Sequence, residues 1–258
     1  MTKYRADLTV LSSTDVAQDF TLLRVSTHDI DPVIAPGQFA ELRTVTPTGN
    51  LLRRPISIHD YDPKAHVLSF LIRRVGDATK AICRLRPGDK LDTVFPLGNG
   101  FPLDKAGNRP LLVGGGVGVA PLMLLAKQLI SCGASPVCAF GAKTESELLL
   151  IDEFSRLCPV HISTDDGSKG IKGFVSDLPL FSPSELSSFS SVMVCGPTPM
   201  MKAVNNRVAS SSIDCFVSLE TMMACGIGVC LCCVTDTQEG NLRVCTDGPV
   251  FNTKSLKW

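Results

Sequence analysis

Near Arg109 the hydrophobic pattern changes its period, and this break constrains the fold more than any other feature of the sequence. Before it, short runs alternate apolar and polar residues and are interrupted by proline and glycine: Tyr4 to Leu11, Phe20 to Val25, Gln38 to Arg43, Pro55 to Ile58, Val67 to Arg73 and Lys90 to Val94. A period of two puts every second side chain on one face of a strand, so these runs predict an antiparallel barrel or sandwich. One short helix is expected at Thr79 to Leu85, with Arg86-Pro87-Gly88-Asp89 as the turn into the last strand. After the break the order becomes apolar strand, glycine turn, helix: Leu111 to Val113, Gly114 to Gly118, then Ala120 to Ile130 with leucine and methionine on a helical period. Strands at Pro136 to Phe140, Val160 to Ser163, Ser191 to Cys195 and Cys215 to Leu219 alternate with helical stretches, which predicts a parallel sheet wound on both faces. The expected fold class is thus multidomain α+β. It comprises an antiparallel β-barrel over 1–105, a doubly wound α/β domain over 106–218 and a small C-terminal segment over 219–258, too short to build a core of its own.

Composition narrows the function. The 258 residues are 44% hydrophobic, enough for two modest cores or one large one. Twenty-five basic residues balance 25 acidic ones, so no charge excess points to nucleic acid or to an anionic membrane. No apolar run approaches the ~20 residues that span a bilayer. Eleven cysteines, an odd number, with no apolar leader after Met1, predict a reducing, cytoplasmic setting rather than a disulfide framework.

Four of those cysteines, Cys225, Cys230, Cys233 and Cys245, form a C-x4-C-x2-C-x11-C array, the spacing of thiolates that hold a plant-type [2Fe-2S] cluster. Gly226 and Gly228 let the backbone curl and turn its N–H groups toward sulfur. Cys232 is expected to point elsewhere, since the rhythm is complete without it. Four thiolates also suit tetrahedral zinc, but zinc knuckles use paired short hooks, and here only Cys230 and Cys233 make one.

Three further segments carry chemistry. Arg53-Arg54-Pro55-Ile56-Ser57 puts a guanidinium that can grip a phosphate near a hydroxyl that can meet a ring edge; two solvated arginines on a surface strand would leave the same pattern. Leu71 to Thr79 brings a glycine and a threonine to a helix start that favours a phosphate oxygen, or simply a helix capped by Asp77. Leu111 to Leu122 lets backbone approach a pyrophosphate through its glycines, although no acidic residue stands at the usual interval to read a ribose, and a plain connecting turn fits as well. Val192 to Met201 ends a strand at Cys195-Gly196 and turns through two prolines into a helix.

These segments resemble the ferredoxin reductase-like superfamily. The resemblance implies FAD contacts at Arg54, Pro55, Ile56, Ser57, Leu71, Ile72, Arg73, Ala78 and Thr79, with Ala78 departing from the Gly-Thr of many relatives. It implies an NAD site at Gly114, Gly115, Gly116, Gly118, Gly196 and Pro197. Ser57 would lie beside the flavin ring and Cys195 beside the nicotinamide, as the two groups nearest the chemistry, although a cysteine on an apolar strand is also ordinary core. With the cysteine array last and the ending Cys245-Thr-Asp-Gly-Pro-Val-Phe251, the chain looks like the electron-transfer subunits of type B dihydroorotate dehydrogenase. That likeness implies passage of electrons from dihydroorotate through FMN, the cluster and FAD to NAD, in pyrimidine biosynthesis. The implied partner is an FMN-containing dihydroorotate dehydrogenase catalytic subunit, in a heterotetramer of two of each. Ile227, Val229 and Leu231 would then form partner contacts, or pack beneath the cluster.

Two alternatives accompany this reading. One is an NAD(P)H-dependent reductase subunit of a hydrogenase, glutamate synthase or ferredoxin system, with Lys143 meeting a 2′-phosphate or merely solvated. The other is a zinc-stabilised binding module on a degenerate nucleotide fold. His28, His59, His66 and His161 are scattered and are expected to be unspecialised.

Overall fold

The computed structural model describes residues 2–45 and 51–257. Six strands, β1 (Tyr4–Ala17), β2 (Phe20–Ser26), β3 (Phe39–Thr44), β4 (Arg54–Asp62), β5 (Val67–Arg73) and β6 (Lys90–Leu97), close into an antiparallel barrel in the order β1-β2-β5-β4-β3-β6. Alternation decides which side chains fill it: Leu23 and Val25, Ala40 and Leu42, and Leu68, Phe70 and Ile72 point inward and are fully buried. Strand β1 outruns its apolar pattern because a register shift between Val10 and Ser12 lets its polar half continue pairing with β2.

Helix α1 (Asp77–Cys83) starts two residues earlier than expected. Asp77 is its first helical residue rather than its cap. Gly76 precedes it in extended conformation, and the Thr79 hydroxyl accepts from the Gly76 N–H at 3.2 Å. Ile82 then seals the barrel core.

The second part holds β7 (Pro110–Gly115), α2 (Leu122–Ser131), β8 (Val137–Ala142), α3 (Ile151–Ser155), β9 (Val160–Thr164), β10 (Ile171–Lys172), α4 (Pro183–Leu186), β11 (Ser191–Cys195), α5 (Thr198–Val208) and β12 (Asp214–Ser218). Its central strands are buried on both faces. Leu112, Cys138, Phe140, Met193 and Phe216 pack on the α2 side, while Leu111, Val113, Val137, Val192, Val194 and Val217 pack on the α5 side, as a doubly wound sheet requires. The helix expected from Ala120 begins at Leu122, because Gly116–Val119 winds into one tight 3-10 turn and Pro121 occupies the cap position.

The C-terminal stretch forms a hairpin, β13 (Val234–Thr237) with β14 (Gly240–Arg243), and then β15 (Val250–Asn252). Strand β15 pairs antiparallel with β12, so the seven-stranded sheet runs β10-β9-β8-β7-β11-β12-β15. Cys233, Val244, Cys245, Phe251 and Leu256 enter the apolar layer that also contains Phe39 and Leu97 of the barrel. The segment too short for its own core borrows that of both neighbours.

Candidate functional site

In an open α/β sheet, ligands settle outside the carboxyl ends of strands where the winding reverses. From β7 the chain builds toward β8 and β9 on one side and later toward β11 and β12 on the other, so the switch point lies between β7 and β11. The two glycine-bearing turns leave these strands side by side, with Gly114 opposite Cys195 in the register. Their packing is close enough to exclude side chains. A Cβ on Gly118 would collide with the Cys195 carbonyl oxygen and come within 2.7 Å of the Gly196 Cα, so glycine is required by space. A Cβ on Gly115 would strike the Met200 sulfur and approach Pro197 to 3.1 Å. Gly116 by contrast faces open space, with φ +54°, leaving backbone accessible to a ligand.

A cleft of about 320 Å³ opens where the barrel meets this sheet. Pro55, Ile56, Ser57, Leu71, Arg73 and Thr79 line it from the barrel side, Val117 and Ala120 from the glycine turn. Strand alternation explains why Ile72, between Leu71 and Arg73, does not: it is fully buried in the barrel core. Ala78 is buried behind Thr79, and Cys195 is buried in the sheet core, its thiol pushed up by that burial and by Glu220. The residue beside Cys195 on β12, Ser218, takes the wall position.

The structure also separates the two adjacent arginines. Arg53 binds Asp92 at 2.6 Å, and Arg43 and Arg5 close on the same carboxylate, making a barrel-bracing cluster. Arg54 donates to the backbone carbonyls of Leu52 and Arg53 and forms no ion pair among the described residues. It does not line the cleft, where Arg73 is the arginine present.

All eleven cysteines are unbridged. The four of the array stand in two pairs: the Cys230 N–H donates to the Cys225 sulfur at 3.5 Å, and the Cys245 N–H to the Cys233 sulfur at 3.4 Å. Burial opposes ionisation of Cys225, but backbone N–H groups of Cys230, Ile227 and Val229 aimed at its sulfur outweigh that and bring it down to about 6. Gly226, at φ +64°, makes this curl, and a Cβ there would lie 2.7 Å from Glu41. Burial, then the Cys233 thiol, push Cys245 up to about 12, so Cys245 is ionised only with a cation present. Two-plus-two thiols with inward N–H groups fit a binuclear iron–sulfur centre, where each iron takes two protein sulfurs. Cys233 and Cys245 are buried while Cys230 is exposed, so the site reaches the surface on the loop that carries Ile227, Val229 and Leu231, which are exposed. Met223, two residues before Cys225, lines the cleft, which joins the two sites through one short run of chain.

Several residues escaped the sequence reading. Ser218, Leu219, Glu220 and Thr221 complete the cleft wall. Glu220 opens onto the cleft yet has protein on its other sides, and this desolvation raises its pKa. The signal available was position, since these residues follow directly on the carboxyl end of an apolar strand. Glu41 gave no signal: it alternates correctly on β3, yet its carboxylate oxygens are buried without a partner beside the cysteine loop, and burial raises it to about 7 despite Arg53.

Barrel, doubly wound sheet and cysteine segment together define a ferredoxin reductase-like oxidoreductase chain with a C-terminal iron–sulfur part. The structure of the NADH-dependent reduced ferredoxin-NADP oxidoreductase superimposes with a TM-score of 0.87 at 29% identity, over 98% of this chain and 90% of that one. A ferredoxin NADP+ reductase from Neisseria gonorrhoeae shares the fold alone, with a TM-score of 0.67 at 15% identity over 81% of this chain and 92% of that one. Residues 220–257 match the iron-sulfur cluster binding domain of dihydroorotate dehydrogenase B, and residues 112–206 match the oxidoreductase NAD-binding domain. The dihydroorotate dehydrogenase B (NAD(+)) electron transfer subunit of Shouchella clausii is 39% identical over 257 residues, 97% of each chain. That of Fusobacterium nucleatum is 36% identical over 250 residues, 95% of each. The chain belongs to the family of dihydroorotate dehydrogenase B electron transfer subunits.

Proposed function

We propose that this chain relays electrons between a [2Fe-2S] centre, FAD and NAD on behalf of a dihydroorotate-oxidising, FMN-containing subunit. The observation that carries the reading is the shared wall. One cleft is lined by the barrel motif residues Pro55, Ile56, Ser57 and Arg73, by Val117 and Ala120 of the glycine turn, and by Met223 next to the first thiol of the array. Three parts that the sequence spaces far apart therefore meet around one volume. FAD, when bound, supplies the conversion between the paired electrons of a hydride carrier and the single electrons of an iron–sulfur centre.

The protein's own contribution is placement. Arg54 and the N–H groups at the start of α1 hold phosphate, Ser57 offers a hydroxyl to the ring edge, and the apolar walls formed by Leu71, Leu219 and Met223 exclude water. Gly116 and Gly118, with Gly196 and Pro197, hold the pyridine dinucleotide along the switch point. Cys225, Cys230, Cys233 and Cys245 ligate iron. In this reading the functional parts divide at 1–105, 106–218 and 219–258, and the apolar loop at Ile227, Val229 and Leu231 meets the partner in a cytoplasmic assembly of two of each subunit. Among the described residues no helix is long and apolar enough to cross a membrane.

Co-expression with a candidate dihydroorotate-oxidising subunit tests the proposal. Dihydroorotate should yield NADH only when both chains are present, and the purified chain should show flavin bands with a red-brown shoulder. A colourless protein without acid-labile sulfide, even after anaerobic reconstitution, would overturn it.

A further inference from the structure

His59 ties the flavin-side strand to the nucleotide-side turn. It lies in β4, two residues beyond Ser57, and is only 4% exposed. Its Nδ1 stands 2.8 Å from the carbonyl oxygen of Ala120, and since a carbonyl only accepts, Nδ1 carries the proton and donates. Ala120 ends the glycine turn; its N–H donates to the Val117 carbonyl at 2.9 Å, and both residues line the cleft that Ser57 also lines. Burial disfavours a charged ring and lowers the His59 pKa, outweighing the Ala120 hydrogen bond and Asp60, which raise it, while Lys127 and Arg24 add to the lowering, so the neutral donor persists. The other polar links between β4 or the loop before β3 and α2 are weaker or wetter: Lys127 to Asp60 is a partly exposed ion pair, and Gln128 reaches the Ile34 carbonyl at 3.4 Å.

We propose that His59 is a positioning residue for electron exchange: its Nδ1–H pins the Ala120 carbonyl, which fixes the offset between the strand presenting Ser57 and the turn presenting Gly116 and Gly118. The inference rests on the reading that FAD occupies the cleft and NAD the glycine turn. His59 does not line the cleft, so it acts through the backbone of Ala120. The link matters because hydride transfer needs reacting atoms about 3–3.5 Å apart, and a misplacement of about 1 Å costs up to roughly 100-fold in rate.

Three variants of the FAD-loaded protein separate positioning from general stability. Asparagine carries an N–H donor at nearly the reach of Nδ1, glutamine carries it one methylene further out, and leucine carries none. In anaerobic stopped-flow mixing, the limiting rate of flavin reduction at saturating NADH should fall about tenfold in H59Q and H59L and recover to within about twofold in H59N. FAD content by absorbance and NAD(+) affinity by calorimetry should stay within about twofold of wild type in all three, because each half-site keeps its own contacts. Wild-type rates in H59Q and H59L, or an H59N variant as slow as H59L, would overturn the assignment, as would parallel loss of FAD and NAD(+) binding in every variant. If H59L does not fold, the contrast between H59N and H59Q decides alone. A wild-type protein lacking NADH-reducible flavin would overturn the functional reading and this inference with it, whereas a reducible wild type with equally fast variants overturns the inference only.

Discussion

Replacing Gly118 by alanine tests the claim that two distant sequence motifs form one nucleotide site. The new methyl would meet the Cys195 carbonyl oxygen, the Cys195 carbonyl carbon at 2.5 Å and the Gly196 Cα at 2.7 Å. All three are backbone atoms of a strand end held between β7 and β12, so no flexible side chain can yield. Overpacking against fixed atoms costs typically about 1–3 kcal/mol, and rigid neighbours put this case near the top of that range. For a chain of this size that corresponds to a melting temperature lower by roughly 4–10 °C. Relief requires the Cys195-Gly196 turn to move away from the glycine loop, so NAD(+) affinity should fall about tenfold or more. Gly133→Ala is the matched control: in the turn after α2, outside the dinucleotide site, it meets no atom within 4 Å and suffers only the strain of φ +85°, about 1 kcal/mol. Thermal melting and calorimetric titration of NAD(+) on both variants read the contrast. A Gly118→Ala protein that melts and binds like wild type, or one less perturbed than Gly133→Ala, would refute the packing argument.

Three other outcomes follow from the same structure. Cys230→Ser, at the exposed rim of the thiol array, should abolish iron content measured by colorimetric assay while leaving NADH-dependent flavin reduction; full iron retention would count against the ligand set. Arg54→Ala should lose FAD on gel filtration, whereas Arg53→Ala should chiefly lower the melting temperature, since it strips the closest guanidinium from the buried Asp92, a cost of about 1–3 kcal/mol. His59 is neutral and buried with a lowered pKa, so the unfolded chain binds more protons below its ordinary value of about 6.5; stability should therefore decline as pH falls through and below that value. Urea midpoints at pH 7.5 and 5.5 check this, and in H59N part of that pH dependence should disappear.

Periodicity and glycine placement made the barrel, the wound sheet and the thiol array legible before any coordinates. These features are local. A strand's alternation, a strand–glycine–helix order and a four-cysteine spacing each express themselves within a few residues. Element edges are local too: helix α1 begins at Asp77 because Thr79 reaches back to Gly76, a competition between two capping groups that spacing alone leaves undecided.

What tertiary structure alone decided concerns partners distant in sequence. Arg53 and Arg54 are indistinguishable as neighbours in the chain, and only the approach of Asp92 from β6 commits one to bracing the barrel and leaves the other donating to backbone carbonyls alone. Strand β15 joins the sheet because β12 exposes an unpaired edge, which no pattern in Val250 to Asn252 announces. His59 read as unspecialised until the fold brought Ala120, 61 positions away, to its ring. Sequence pattern specifies what each segment is because backbone geometry and solvent exclusion act over a turn or a strand, whereas charge pairing, edge closure and buried hydrogen bonds depend on which segments the folded chain brings into contact.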